Sequence, residues 1–560
     1  MHADAEPFDR FAQSWRGYAL IALIALVSAL FGAGAAPVMD RDEARFAQAS
    51  RQMVETADYV RIRIQDEERS KKPVGIHWLQ AGSVELFEPI THRLNEIWPY
   101  RVPSALGVLM AALATLWAGV RLIGARAAFW GAALFASGLL LGVEGMTAKT
   151  DAALCGFTAL ALAAAAHLYL GAERPRALAL LFWAALGAAI LIKGPIAPLI
   201  VALTLAPLGF WEGRWRWMKP LVWWAGPLTM LLIVLPWMLA IYQATGGRFF
   251  AEAIGHDLGA KVSGGSEGHS GPPGYHLLLL ALLIFPATFA LPFAVRLGWK
   301  SLRAPRAEET LRGLRFLIAW AAPSFVMFEL TPTKLPHYTL PLYPALALLC
   351  GAGLAQALGG GWRVTKWIGV ALAGLAGVAL VALIGQGAPL VDAGARSLLT
   401  AMAILAAIAL GAMLAVFAFV ERPMVRVAAG VFCALLLSFG VRQILLPLAH
   451  GVQPTAQAVA ALDRAGLANR PLWVVGYRET SIVFSTRTDA HLEPAEAAGQ
   501  RANPGDAIIV EHRDLAALIA ALNARDLAFA QSGEDVRARN IGNGERVDLQ
   551  IGTVQLAARN

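Results

Sequence analysis

Residues 18–48 read YALIALIALVSALFGAGAAPVMDRDEARFAQ. The first twenty positions form an apolar run, and roughly 20 apolar residues are what a helix needs to cross a bilayer. The next few carry Asp40, Arg41, Asp42, Glu43 and Arg45. An Asp-Glu pair with arginines therefore stands where a membrane helix leaves the bilayer. Chain packing does not call for that arrangement, whereas a site that handles a charged group at the membrane surface does.

Composition extends the reading to the whole chain. Apolar residues make up 57% of 560, only 15% are charged, and mean hydropathy is +0.55. That is the composition of a polytopic membrane protein, and nothing in it points to a nucleic-acid partner. Cys155, Cys350 and Cys433 each lie inside an apolar run and read as small packing residues rather than a disulfide framework. The N-terminus enters its apolar run near Tyr18 without a small-residue cleavage site ahead of a soluble domain, so a cleaved signal peptide is not expected.

Apolar runs of spanning length begin near Tyr18, Val102, Ala127, Ala152, Ala177, Pro195, Leu221, Tyr275, Phe316, His337, Val364, Leu398 and Val427. This predicts a polytopic α-helical membrane protein with about 13 transmembrane helices. The fifth and sixth runs are short and meet at Lys193-Gly194-Pro195, where proline suits a helix start. Cations set the orientation. One set of loops is rich in them, as in Arg296, Lys300, Arg303, Arg306, Arg312 and Arg315, while the opposite short loops hold mainly single ones such as Lys149, Lys193, Lys334 and Arg396. The positive-inside rule makes the first set and the N-terminus cytoplasmic, and an odd number of spans puts the C-terminal part outside. Loops 40–101 and 244–274 are then external, and a membrane domain over 1–450 precedes an external domain over 451–560. In that domain, clusters 472–475, 507–510 and 527–530 read as short strands, and 459–465 and 515–524 as amphipathic helices, giving a small soluble α/β domain. It has no glycine-rich phosphate loop, and the chain has no internal repeat.

The external loops hold the candidate chemistry. Residues 42–54 fit a helix with two readings: an interfacial helix with Phe46, Met53 and Val54 toward lipid and Arg45 and Gln48 toward water, or a helix that turns Asp42 into an active-site cavity. Lys71-Lys72-Pro73 reads either as a basic loop drawn to anionic headgroups or as a phosphate clamp with Lys72 as a point charge. Asp151 opens a span and is explained equally by N-capping or by a place in the same cavity as Asp42. The loop FFAEAIGHDLGAKVSGGSEGHSGPPGYH gathers Lys261, His256, Glu267, His269 and His276. It reads as a mobile lid or as a divalent-metal (zinc) site with His256, Glu267 and His269 as ligands. Thr331 to Tyr338 is a tight turn with two prolines that presents Lys334 and Tyr338. The orientation puts Asp42, Lys72, Asp151, Lys193, Lys334 and Tyr338 on one face.

These residues resemble a family. Asp-Glu-x-Arg after the first span, Lys72-Pro73 with Trp78-Leu79-Gln80, Arg101-Val102-Pro103-Ser104-Ala105, and Lys334-Leu335-Pro336-His337-Tyr338 with Leu340-Pro341-Leu342-Tyr343-Pro344 look like the polyprenyl-phosphate-sugar glycosyltransferases that include the protein O-mannosyltransferases. Length, span count and the C-terminal external domain look most like the bacterial aminoarabinose transferases within that group. The chain reads Lys-Lys-Pro-Val where many relatives have a Lys-Pro-Pro form. The resemblance implies a GT-C-type fold in the bacterial inner membrane, with a monomer expected. It also implies transfer of 4-amino-4-deoxy-L-arabinose from undecaprenyl phosphate to lipid A phosphates on the periplasmic face, which lowers susceptibility to polymyxin-like cationic peptides. Asp42 and Asp151 take the catalytic positions and Arg45, Lys72, Lys261, Lys334 and Tyr338 the substrate-binding ones. No cofactor is needed for sugar activation. A protein O-glycosyltransferase, or a flippase for the lipid-linked sugar, are the alternatives to be separated by bond cleavage and by the acceptor.

Overall fold

The computed structural model describes residues 5–39, 41–258, 270–305, 308–357, 362–540 and 544–557. Among these, nine helices are long and apolar enough to cross a membrane. Three bent pairs raise the number to twelve if each is one span: Pro7–Gln13 with Trp15–Leu30, Ala125–Ala136 with Leu139–Gly145, and Tyr275–Leu283 with Ala287–Arg303. The thirteenth apolar run is the shorter helix Ile196–Glu212. Each expected run thus has a helix, and the bends lie where Ser14, Gly138 and Pro286 interrupt the sequence. At Lys193-Gly194-Pro195 the chain breaks as the sequence predicts. Gly194 takes a positive φ of 64° after helix Pro175–Lys193, a conformation glycine adopts without a Cβ penalty.

Close helix contacts depend on small residues. A Cβ on Gly107 would lie 2.6 Å from the Ala152 carbonyl carbon and the Ala153 amide nitrogen. Helices Trp98–Ile123 and Asp151–Tyr169 therefore meet backbone to backbone, as small residues allow in membrane bundles. That contact fixes the first turn of the second helix, and with it Asp151. The three cysteines are buried and unbridged, as their apolar surroundings predict.

The loop after the first span folds into helix Asp42–Thr56, a two-residue hairpin (Arg63–Ile64 with Glu67–Glu68) and helix Gly75–Thr91. The interfacial reading of the first of these is corrected. Phe46 and Met53 are buried rather than turned to lipid, and Gln48 is fully buried rather than turned to water. Phe46 stacks on His77 with ring centroids 5.4 Å apart, and the Arg69 guanidinium lies over the Phe46 ring, 4.6 Å from its centre. The physical reason is that the C-terminal part covers this helix. Gln48 donates to Thr488 Oγ1 at 2.9 Å, Arg51 donates to the carbonyls of Val483 and Phe484, and Gln65 donates to those of Thr488 and Ala490.

The C-terminal part is a mixed sheet in the order His491–Glu493, Leu472–Val475, Ala507–Glu511, Arg546–Leu556, Leu527–Gln531, with Val536–Arg539 pairing to the other half of the long strand's free edge. The first three strands are parallel and the rest antiparallel. Alternation splits the strands between two cores: Leu472, Val474 and Ile509 on one face, Trp473, Val475, Ile508 and Val510 on the other. Both faces are covered by helices, which is why these strands read as continuous apolar clusters.

Candidate active site

Beneath the loop helices lies a cavity of about 590 Å³. Much of its wall is apolar, built from Leu154, Ile190, Leu199, Trp237, Met238, Phe249, Phe250, Met327 and Phe328; its charged and polar lining includes Lys71, Lys72, Asp151, Lys193, His337 and Tyr338. Four of these meet. Lys193, the last residue of its helix, donates to Asp151 Oδ1 at 2.5 Å. His337 Nε2 faces Asp151 Oδ2 at 3.8 Å, and the Lys193 ammonium lies 5.5 Å from the centre of the Tyr338 ring.

The cluster continues behind the cavity wall. Lys149 pairs with Glu144 Oε1 at 3.0 Å and approaches His337 Nδ1 at 3.5 Å. His337 Nδ1 also lies 3.8 Å from Glu144 Oε1, so the imidazole stands between two carboxylates. Burial works against the charge on Lys149, yet Glu144 and Asp151, with a smaller contribution from Asp42, raise its pKa above the ordinary lysine value. The result is two buried carboxylates, two partly buried ammonium groups and an imidazole between them, a charge-balanced set of the kind that makes burial tolerable.

Glu144, Asp151 and His337 present possible metal-ligand atoms within 4.8 Å of one another. Two ammonium groups already stand against the same carboxylates, at 3.0 and 2.5 Å. A divalent cation would have to displace both lysines, so this trio fits lysine better than metal. Of the expected metal site, Glu267 and His269 lie outside the described residues, as does Lys261; of His256 only the backbone is described, in the π-helix Ala251–Leu258.

The other expected residues divide. Lys72, Asp151 and Tyr338 line the cavity. Asp151 is not an N-cap: Thr150 holds that position, and the Asp151 carboxylate is spent on Lys193 and His337. Asp42 begins its helix with a side chain 57% exposed and pairs with Arg45 at 3.8 Å; neither residue is part of the cavity wall. Lys334 is a correction. It is buried, and its ammonium donates to the carbonyls of Phe328 at 2.9 Å and Glu329 at 2.5 Å, with the Glu329 carboxylate at 3.9 Å. It closes the C-terminal end of helix Arg312–Leu330, where free carbonyls attract a cation, and it does not line the cavity. Glu144, Lys149 and His337 were not singled out from the sequence. Glu144 is nevertheless a lone acid inside an apolar run, and an ionisable residue within a span is a functional candidate on energetic grounds alone.

A family described as dolichyl-phosphate-mannose-protein mannosyltransferase matches residues 71–239, which include Lys72, Asp151 and Lys193. The structure superposes on that of ArnT from Cupriavidus metallidurans bound to undecaprenyl phosphate with a TM-score of 0.75, covering 98% of this chain and 100% of that one at 22% identity. The apo form of the same protein gives 0.73. The chain has the GT-C glycosyltransferase fold. Among curated proteins, the undecaprenyl phosphate-alpha-4-amino-4-deoxy-L-arabinose arabinosyl transferase of Pseudomonas aeruginosa is 34% identical over 359 residues, 61% of this chain. That of Edwardsiella ictaluri is 28% identical over 360 residues. In both cases the match spans 60% of the relative's own length. This GT-C chain thus resembles the polyprenyl-phosphate-sugar glycosyltransferases by family profile, by sequence and by fold.

Proposed function

We propose that the protein is a membrane-embedded glycosyltransferase that moves 4-amino-4-deoxy-L-arabinose from undecaprenyl phosphate to lipid A phosphates. The observation that carries the reading is the cavity: a long apolar wall next to lysines suits a ligand that is a hydrocarbon chain ending in a phosphate. Relatives named for that donor support it. The reaction takes place on the periplasmic face of the inner membrane, with the N-terminus cytoplasmic, residues 1–450 forming the transferase and 451–560 an external domain over it. We take the unit to be a monomer.

In the transfer, the bond between the sugar's anomeric carbon and the donor phosphate oxygen breaks. The electron pair stays on that oxygen, and a lipid A phosphate oxygen bonds to the anomeric carbon. Charge grows on the departing phosphate. Lys72 and Lys193, both in the wall of the cavity, stabilise it as it grows. Charge-assisted hydrogen bonds are worth about 1.5–3 kcal/mol, so each is worth roughly ten- to a hundredfold in rate. A phosphate acceptor is already anionic and needs no strong base. Asp42 then positions the acceptor or the cationic aminosugar, while Asp151 holds Lys193 and His337 at the cavity wall. Positive charge for the site comes from lysine, so no metal is required for this chemistry.

The test is the full chain in lipid nanodiscs, supplied with the lipid-linked aminosugar and lipid A and followed by mass spectrometry. The aminosugar is expected on lipid A phosphates, and Asp42→Asn is expected to abolish transfer while expression and folding persist. Sugar on serine or threonine would replace the acceptor. Movement of intact donor between leaflets without cleavage would overturn the enzymatic reading.

A further inference from the structure

The Arg101-Val102-Pro103-Ser104 motif lies outside the cavity, yet its two polar residues are buried and fully engaged. The Arg101 guanidinium makes a two-pronged pair with Glu43, Nε to Oε1 at 2.8 Å and Nη2 to Oε2 at 2.9 Å. Its remaining N–H groups donate to the carbonyls of Ala33 at 2.8 Å, Ala36 at 2.7 Å and Pro37 at 3.0 Å, which is the turn at the end of the first span. Both side chains are 1% exposed. Glu43 accepts two more bonds, from the Met39 and Ala148 amides at 2.9 and 2.8 Å. One helical turn on, Ser104 Oγ lies 2.7 Å from the Thr147 carbonyl and 3.2 Å from that of Lys149.

The two residues therefore grip two short segments at once. One is the turn from Ala33 to Met39, which leads into Asp42. The other is the turn Thr147–Lys149, which leads into Asp151 and carries the lysine that pairs with Glu144. Neither Glu43 nor Arg101 touches the cavity. Their position also explains why Glu43, although next to Asp42, is not its catalytic companion: its carboxylate is turned the other way and consumed.

We propose that Glu43 and Arg101, assisted by Ser104, are positioning residues that hold Asp42 in register with the Lys149–Asp151 turn. This rests on the transferase reading above. The pair sets the geometry for transfer without contributing to donor binding, because the cavity lysines sit on other elements. A purely structural ion pair would lower stability and every function together; a positioning pair separates binding from turnover.

The experiment uses the full chain in nanodiscs, with undecaprenyl phosphate as the binding probe and aminosugar transfer to lipid A as the turnover assay. Glu43→Gln alone strands a buried arginine and can cost the fold, so the principal variant is the neutral double Glu43→Gln/Arg101→Gln, with Ser104→Ala as a second that buries no charge. The expected result is a Kd for undecaprenyl phosphate within about twofold of wild type and a kcat at least tenfold lower for the double variant, with a smaller loss in kcat for Ser104→Ala. Unchanged kcat in a folded double variant overturns the proposal, as does a parallel loss of binding and turnover in both variants. If the double variant does not fold, Ser104→Ala decides by the same split. Absence of transfer by the wild-type protein would instead refute the transferase reading and is told apart by that control.

Discussion

Lys193 and Lys334 show what a single cation can mean at a span end. From the sequence they were alike: each closes an apolar run next to a proline. In the structure Lys193 faces the cavity and its carboxylate partner, whereas Lys334 is used up on helix-end carbonyls. The two therefore predict different phenotypes. Lys334→Met should lower stability by about 1–3 kcal/mol, the usual cost of orphaning buried hydrogen-bond partners, and leave the affinity for undecaprenyl phosphate unchanged. A lower thermal unfolding midpoint with an unaltered Kd would establish this; a large loss of donor affinity would return Lys334 to the site. Lys72, Asp151 and Tyr338 were legible because motif and polarity coincide there. Glu144, Lys149 and His337 were harder to read, because His337 meets the other two only through contact between spans far apart in sequence.

At the level of elements, helix Asp42–Thr56 is the instructive case. Its pattern of Phe46, Met53 and charged neighbours fits a helix on a bilayer surface, and that pattern is indistinguishable from one buried on two sides by protein. The covering segment lies more than 400 positions away: Phe484 packs edge-on against Tyr100 at 5.2 Å, and Arg51 binds the carbonyl of Phe484 at 2.8 Å. No local rule could supply that partner. The contact predicts that Phe484→Ala costs about 3–5 kcal/mol, the usual penalty for emptying a buried aromatic site. It also predicts that hydrogen exchange rises in residues 42–56 as well as in the sheet. Faster exchange confined to the sheet would show that the helix stands without its cover. The apolar strands at 472–475 and 507–511 were visible in sequence because they are buried on both faces, and 527–531 because its residues up to Ala530 are all apolar, whereas Val536–Arg539 and His491–Glu493 have too few apolar positions to signal themselves.

For the whole molecule, the thirteen apolar runs were readable because the bilayer imposes length and polarity on each separately. The cavity was not, since it is made by loops and span ends that only the fold brings together. Its mixed wall is the feature on which the functional reading depends, and the most direct measurement is the affinity of the full chain in nanodiscs for undecaprenyl phosphate compared with uncharged undecaprenol, in wild type and in Lys72→Ala. The geometry predicts a preference of at least tenfold for the phosphate in wild type that shrinks several-fold when Lys72 is lost, with undecaprenol binding unchanged. Equal affinity for the two lipids, or a phosphate preference indifferent to Lys72, would contradict it.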